Sequence, residues 1–115
     1  MKKVLGVIPS RLFSSRIKEK PLKKILGIPL IIHVCHRTNM SKLLYDFIVA
    51  TDSLLIFNEV KKNGYKAILT SDEHNNGTER MGEVISKMNK YDYYTLINGD
   101  EILLNPKSLD ISIEY

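Results

Sequence analysis

The chain of 115 residues contains a single cysteine, Cys35. One thiol excludes an internal disulfide and a cysteine-based zinc site. Set in an apolar run, Cys35 reads as a small buried hydrophobe rather than a nucleophile. Missing disulfides lean toward a reducing compartment. Long apolar runs are also missing, and nothing approaches the ~18 residues of a membrane span. The apolar stretch behind Lys2 and Lys3 is about six residues long and stops at Pro9, short of the roughly 7–15 of a secretory signal. The expectation is a soluble, cytoplasmic protein without a membrane partner. Neither G-x-x-x-x-G-K-[ST] nor G-x-G-x-x-G occurs, which excludes a P-loop and leaves a dinucleotide fold unsupported. No internal repeat, low-complexity segment or long charge run is present.

What remains is an ordinary globular composition, 43% hydrophobic and 26% charged, of a length that fits one domain with its own core. The formal net charge is a mild +4. The basic residues gather at the front: Lys2, Lys3, Arg11, Arg16, Lys18, Lys20, Lys23 and Lys24, with only Glu19 among them. A positive field at one end favours a small anion site over a broad nucleic-acid face. Tyr91, Tyr93 and Tyr94 follow strand alternation poorly and form no clear stacking platform, so no nucleic-acid partner is expected.

Strand and helix patterns alternate. Strands are expected at 3–8 (closed by Pro9), 45–50, 65–69 and 93–97. A turn is expected at 27–29, with Pro29 in the first turn of a helix from Leu30 to about Met40. A second helix is expected behind a cap at Thr51 or Asp52, with Leu55, Ile56 and Val60 on its apolar face. It ends at Asn63-Gly64, with Gly64 in the left-handed region. A third runs from Thr78 to about Lys90 with Met81, Val84, Ile85 and Met88 on one face. This alternation predicts an α/β fold, a mostly parallel sheet with helices on both faces. Ligands of such sheets bind outside the carboxyl ends of the strands. Segments 9–24, 51–53, 70–80 and 98–101 all follow strands and therefore fall on that edge.

Three of these segments hold candidate chemistry. Arg11, Arg16 and Lys20 lie within ten residues of loop, and a triphosphate needs such forks and point charges. A solvated basic loop accounts for the same composition equally well. In His74-Asn-Asn-Gly-Thr-Glu-Arg80, Gly77 allows close backbone approach and Thr78 is placed to cap a helix; His74 alone reads as a surface histidine. In Asn98-Gly-Asp-Glu101, Asp100 is the better Mg²⁺ ligand and Glu101 the second, since Mg²⁺ takes one or two carboxylates plus phosphate oxygens and water; a surface turn is the alternative. His33 and His36 have no partner at a catalytic spacing and are expected on a helix surface.

These segments together resemble a known family. Pro9-Ser-Arg-Leu-Phe-Ser-Ser-Arg-Ile-Lys-Glu-Lys-Pro-Leu22 resembles the P-A-R-x-x-S-x-R-L-P-G-K-P-L signature of 3-deoxy-manno-octulosonate (Kdo) cytidylyltransferases. Gly27-Ile-Pro-Leu-Ile-Ile-His-Val34, Ile48-Val-Ala-Thr-Asp52, His74 to Arg80 and Asn98-Gly-Asp-Glu101 resemble that family's G-K-P-M-I-x-H-V, I-V-A-T-D, H-x-S-G-T-E-R and Q-G-D-E-P, in the same order. The Gly-Thr-Glu-Arg element points to the Kdo branch over the sialic acid branch. The resemblance implies a Rossmann-like nucleotidyltransferase fold. It also implies transfer of CMP from CTP to Kdo, for lipopolysaccharide synthesis, with Mg²⁺ as cofactor and a homodimer as assembly.

By the same resemblance, Arg11 and Lys20 contact the triphosphate with Arg16 in support. Backbone at Pro9, Ser10 and Arg11 meets the cytosine, and Gly77, Thr78 and Arg80 line the nucleotide pocket. Asn98 stands where the family has a base-reading Gln, and Asp100 binds the metal. Arg11, Lys20 and Asp100 form the catalytic set. The departures are Lys18-Glu19 for Pro-Gly, Ser10 for Ala, Asn98 for Gln and Ile102 for Pro. Residues 1–115 correspond to the CTP-binding N-terminal portion, and the sugar-binding C-terminal half is not among them. A non-catalytic CTP-binding fragment and an enzyme for another acidic 2-keto sugar (8-amino-Kdo or a nonulosonic acid) are the alternatives.

Overall fold

The computed structural model describes residues 2–11, 20–74 and 76–97. Four strands form one parallel sheet: β1 (Val4–Ser10), β4 (Asp46–Thr51), β5 (Ala67–Leu69) and β6 (Tyr93–Leu96). Their order is β5-β4-β1-β6, so β1 is central. The register aligns Ser10 with Thr51, and Thr51 with Leu69. Three strands therefore end level at one edge. β1 and β4 are buried along almost their whole length, as a sheet covered on both faces requires.

Alternate residues of each strand serve opposite faces. Ile8, Phe47 and Val49 pack with α1 (Leu30–Thr38) and α2 (Leu54–Lys62). Leu5, Val7, Ile48 and Ala50 pack with Val84 of α3 (Gly77–Lys87). The α/β class, the parallel sheet and the helices on both faces are all observed. Cys35 is fully buried in the α1 layer.

Several expected boundaries shift. β1 runs through Pro9 to Ser10, with Pro9 opposite Ala50; so near a strand end the missing N–H removes at most one ladder bond. α1 stops at Thr38 and α3 at Lys87, one turn or less before the expected ends. β5 begins at Ala67, and Tyr65 packs against the core below it. Gly64 does adopt a positive φ of 86°.

The caps also move. Ser53 caps α2, its Oγ accepting the Ile56 N–H at 3.3 Å. Thr51 completes β4 instead, and its Oγ1 accepts the Ser53 N–H at 3.1 Å. Asn76 caps α3, its Oδ1 accepting the Glu79 N–H at 2.9 Å, so Thr78 lies inside the helix and exposed. Ile85, expected on the buried face of α3, is exposed, whereas Met81 and Met88 do pack inward.

A small hairpin was not foreseen. β2 (Lys24–Ile25) pairs antiparallel with β3 (Ile28–Pro29). The two residues between them, Leu26 and Gly27, have φ of 54° and 81°, and two positive φ values in a row are what a type I′ hairpin turn needs. Pro29 ends β3 and stands at the N-cap of α1. His33 Nε2 meets the Ile25 carbonyl at 2.6 Å, tying α1 to the hairpin, and His36 Nδ1 meets the Tyr65 hydroxyl. Both surface histidines thus brace the chain.

Candidate functional site

The carboxyl edge of the sheet gathers three of the four expected segments. Ser10 and Arg11 leave β1, Thr51 and Asp52 leave β4, and Thr70 and Ser71 leave β5. The first turn of α3 comes in above β1. A Cβ on Gly77 would lie 3.0 Å from Pro9 Cγ and 3.7 Å from Leu96 Cδ1. Only a glycine lets α3 rest so closely on β1, so Gly77 acts by close packing against Pro9. The helix then brings its N-terminal first turn, with the positive end of its dipole, to the strand ends.

Arg80 lies beneath this edge. It is 1% exposed, the largest fully buried side chain among the described residues. Its Nη1 donates to Thr70 Oγ1 and, at 3.1 Å, to the Ser71 carbonyl. Its Nη2 faces Asp52 Oδ2 at 3.5 Å. One guanidinium from α3 therefore joins the ends of β4 and β5. Arg80, expected to line the nucleotide pocket, holds the strand ends through these contacts. Ser10 Oγ and Arg80 Nη2 are buried without a hydrogen-bond partner among the described residues. Buried donors of this kind ordinarily find a partner, and both belong to residues at or beside the carboxyl edge.

The loop between β5 and α3 is fastened from outside as well. Glu83 Oε1 accepts the Ser71 N–H at 2.9 Å and contacts His74 Nε2 at 2.7 Å, while Oε2 takes Lys87 Nζ at 2.6 Å. The Lys87 ammonium, with the Ser71 N–H and His74, holds the Glu83 carboxyl down at about 2. His74 is thus a partly buried hydrogen-bond partner of Glu83 rather than a free surface histidine.

Arg11 is exposed just past β1. Lys20 enters a 3-10 turn, Lys20–Leu22. Arg16, Asn98, Asp100 and Glu101 lie outside the described residues. A cavity of about 490 Å³ lined by Lys3, Tyr45, Asp46, Lys66, Lys90 and Tyr91 opens at the opposite, amino edge of the sheet and takes no part in this site. The sequence marks Asp52 only as a helix cap and motif residue, and Thr70 and Glu83 carry no signal of their own. Glu83 stands three residues after Arg80, a spacing that places both on neighbouring turns of one helix face.

Residues 5–115 match the family model described as cytidylyltransferase. The chain belongs to the cytidylyltransferase family. Among its relatives, a 3-deoxy-manno-octulosonate cytidylyltransferase of Fusobacterium nucleatum is 46% identical over 112 residues, covering 97% of this chain and 45% of that protein. One from Leptospira interrogans is 39% identical over 110 residues, covering 96% and 44%. A solved structure described as CMP:2-keto-3-deoxy-manno-octonic acid synthetase complexed with CTP superposes with a TM-score of 0.93 at 37% identity, covering 97% of this chain and 46% of that one. The chain spans about half the length of the curated relatives it matches. The Rossmann-like nucleotidyltransferase fold implied by the motifs is the fold found.

Proposed function

We propose that this chain supplies the CTP-binding half of a cytidylyltransferase that moves CMP from CTP onto Kdo and releases pyrophosphate. The observation that carries the reading is the carboxyl edge. There Ser10 and Arg11 follow Pro9, against which the first turn of α3 packs, and Arg80 ties the ends of β4 and β5. The names of the relatives support the choice of CTP and of Kdo.

In the proposed reaction a hydroxyl oxygen of the sugar attacks the α-phosphorus of CTP. A new O–P bond forms, and the bond from that phosphorus to the bridging oxygen breaks. The hydroxyl proton is lost to solvent, and pyrophosphate carries away the electron pair. The Arg11 guanidinium and the Lys20 ammonium are proposed to neutralise the triphosphate and the departing charge, with Arg16 in support. Gly77 and Thr78, at the N-terminus of α3, are proposed to receive the nucleotide, and Asn98 to read the base.

Mg²⁺ is proposed as the cofactor with Asp100 as its ligand. Among the described residues no group of three or more His, Cys, Asp or Glu side chains is placed to hold a metal ion, and Asp52 at the edge is paired to Arg80. The described residues do not form a metal site. A homodimer and action in the cytoplasm are proposed on the resemblance alone.

Calorimetric titration of the chain with CTP, with and without Mg²⁺, tests the reading. Micromolar to millimolar binding that Arg11→Ala weakens by about tenfold, the scale of one charge-assisted hydrogen bond, supports it. Absence of any binding heat sinks it. Mg²⁺ dependence that survives Asp100→Ala moves the metal site elsewhere.

A further inference from the structure

The candidate site depends on a loop, the connection from β5 to α3, which brings the cap of α3 to the edge of the sheet. Two side chains of α3 fix that loop. Arg80 holds it from beneath through Thr70 and the Ser71 carbonyl. Glu83, three residues further on, holds it from the flank through the Ser71 N–H at 2.9 Å and His74 at 2.7 Å. The two grips meet on one peptide chain segment: Ser71 gives its carbonyl to Arg80 and its N–H to Glu83. Within the loop, Ser71 Oγ accepts the Glu73 N–H at 3.1 Å, which carries the constraint toward His74.

We infer that Glu83 is a positioning residue for the nucleotide site, acting through Ser71 and His74 to set where the first turn of α3 stands against β1. This inference rests on the nucleotide reading of the carboxyl edge. Glu83 does not itself reach that edge. Its carboxylate is consumed by the loop on one oxygen and by Lys87 on the other. What it does is remove freedom from the segment that ends in Asn76 and Gly77. On the other side Gly77 lies close against β1, where an added Cβ would sit 3.0 Å from Pro9 Cγ. The first turn of α3 is therefore gripped between the loop and β1. Releasing the loop lets the turn drift, and misplacing binding groups by even a fraction of an ångström weakens a polyanion held by several N–H donors.

The same side chain has a second arm that serves as an internal control. Lys87 lies one turn along α3 and is half exposed; removing it takes away charge without releasing the loop.

The test is CTP titration of the whole chain carrying Glu83→Ala, Glu83→Gln, His74→Ala or Lys87→Ala, with thermal melting of each. The expected result is a loss of affinity on the order of tenfold for Glu83→Ala. Glu83→Gln recovers most of it, since its amide oxygen still accepts the Ser71 N–H, and Lys87→Ala binds as the unaltered chain does. His74→Ala, which removes one arm and leaves the Ser71 bond, gives a smaller loss in the same direction and carries the test should Glu83→Ala fail to fold. Unchanged affinity in folded Glu83→Ala, or a loss shared equally by Lys87→Ala, overturns the inference while leaving the nucleotide reading intact. An unaltered chain that binds no CTP overturns the nucleotide reading itself, and the inference with it.

Discussion

Replacing Arg80 separates two roles that a sequence motif cannot. A guanidinium that touches the nucleotide would cost affinity when removed and leave the fold alone. A guanidinium that braces strand ends would cost stability first. The structure supports the second role. Arg80→Ala removes the bonds to Thr70 Oγ1 and the Ser71 carbonyl, and it takes the cation away from Asp52. Each bond to a charged donor contributes about 1.5–3 kcal/mol, and breaking a buried pair costs about 3–5 kcal/mol when the partner stays dry. Asp52 does not stay dry, since its side chain is 16% exposed and water can reach it. Relief of the guanidinium's own desolvation offsets part of the loss. The net expectation is about 2–4 kcal/mol, a large fraction of the 5–15 kcal/mol that holds a typical domain. Arg80→Met keeps the apolar stem and isolates the polar part. Urea unfolding followed by circular dichroism reads the stability, and CTP titration on the folded protein reads the site. The reasoning is refuted if Arg80→Met unfolds at the same urea concentration as the unaltered chain while its CTP affinity collapses.

Gly77→Ala is expected to lower CTP affinity while moving the melting temperature by only a few degrees. The new methyl presses on Pro9 at 3.0 Å, whereas alanine's helix propensity returns up to about 1 kcal/mol; titration and melting of the same sample check both halves. Glu83 ties stability to pH. Its carboxyl lies near 2 in the fold against an ordinary 4.5, so the stability it contributes is fully present above pH 4.5 and is lost as the pH falls toward 2. Urea midpoints of the unaltered chain and Glu83→Gln should differ at pH 6 and converge by about pH 2. Burial pushes the Cys35 thiol up to about 12. A disulfide thiol reagent at pH 8 is therefore expected to leave the native chain unlabelled and to label one thiol per chain in denaturant.

The layered architecture was legible in the sequence because the strands declare themselves. Ile8, Val49 and their neighbours form short β-branched runs between polar segments, and the helices keep a helical apolar spacing. The placing of the site on one edge followed from that alone. Local chemistry was less legible. Thr51, Asp52 and Ser53 are all good caps, and only the length of β4 decides that Ser53 takes the role. A leucine in the left-handed region is not a sequence signal, so the hairpin turn at Leu26 was invisible. The burial of Arg80 was not legible, because motifs carry identity and not depth. Its burial depends on α3 lying close to β1, which in turn depends on Gly77. His74 looked unattached because its partner stands nine residues away, on the far side of a loop.

Helix α3 is held at both ends. Its first turn sits on Pro9, its middle is bonded to the ends of β4 and β5, and beyond its last turn the Met88 carbonyl accepts the Tyr94 hydroxyl from β6. A rod fastened to four strands has no soft mode along which its first turn can tilt. The donors it offers are therefore fixed before any ligand arrives. The disorder that a flexible loop would surrender on binding has already been surrendered on folding. Recognition at this edge should accordingly carry little ordering penalty from α3, and its cost should appear instead as the stability that Arg80, Glu83 and Gly77 together maintain.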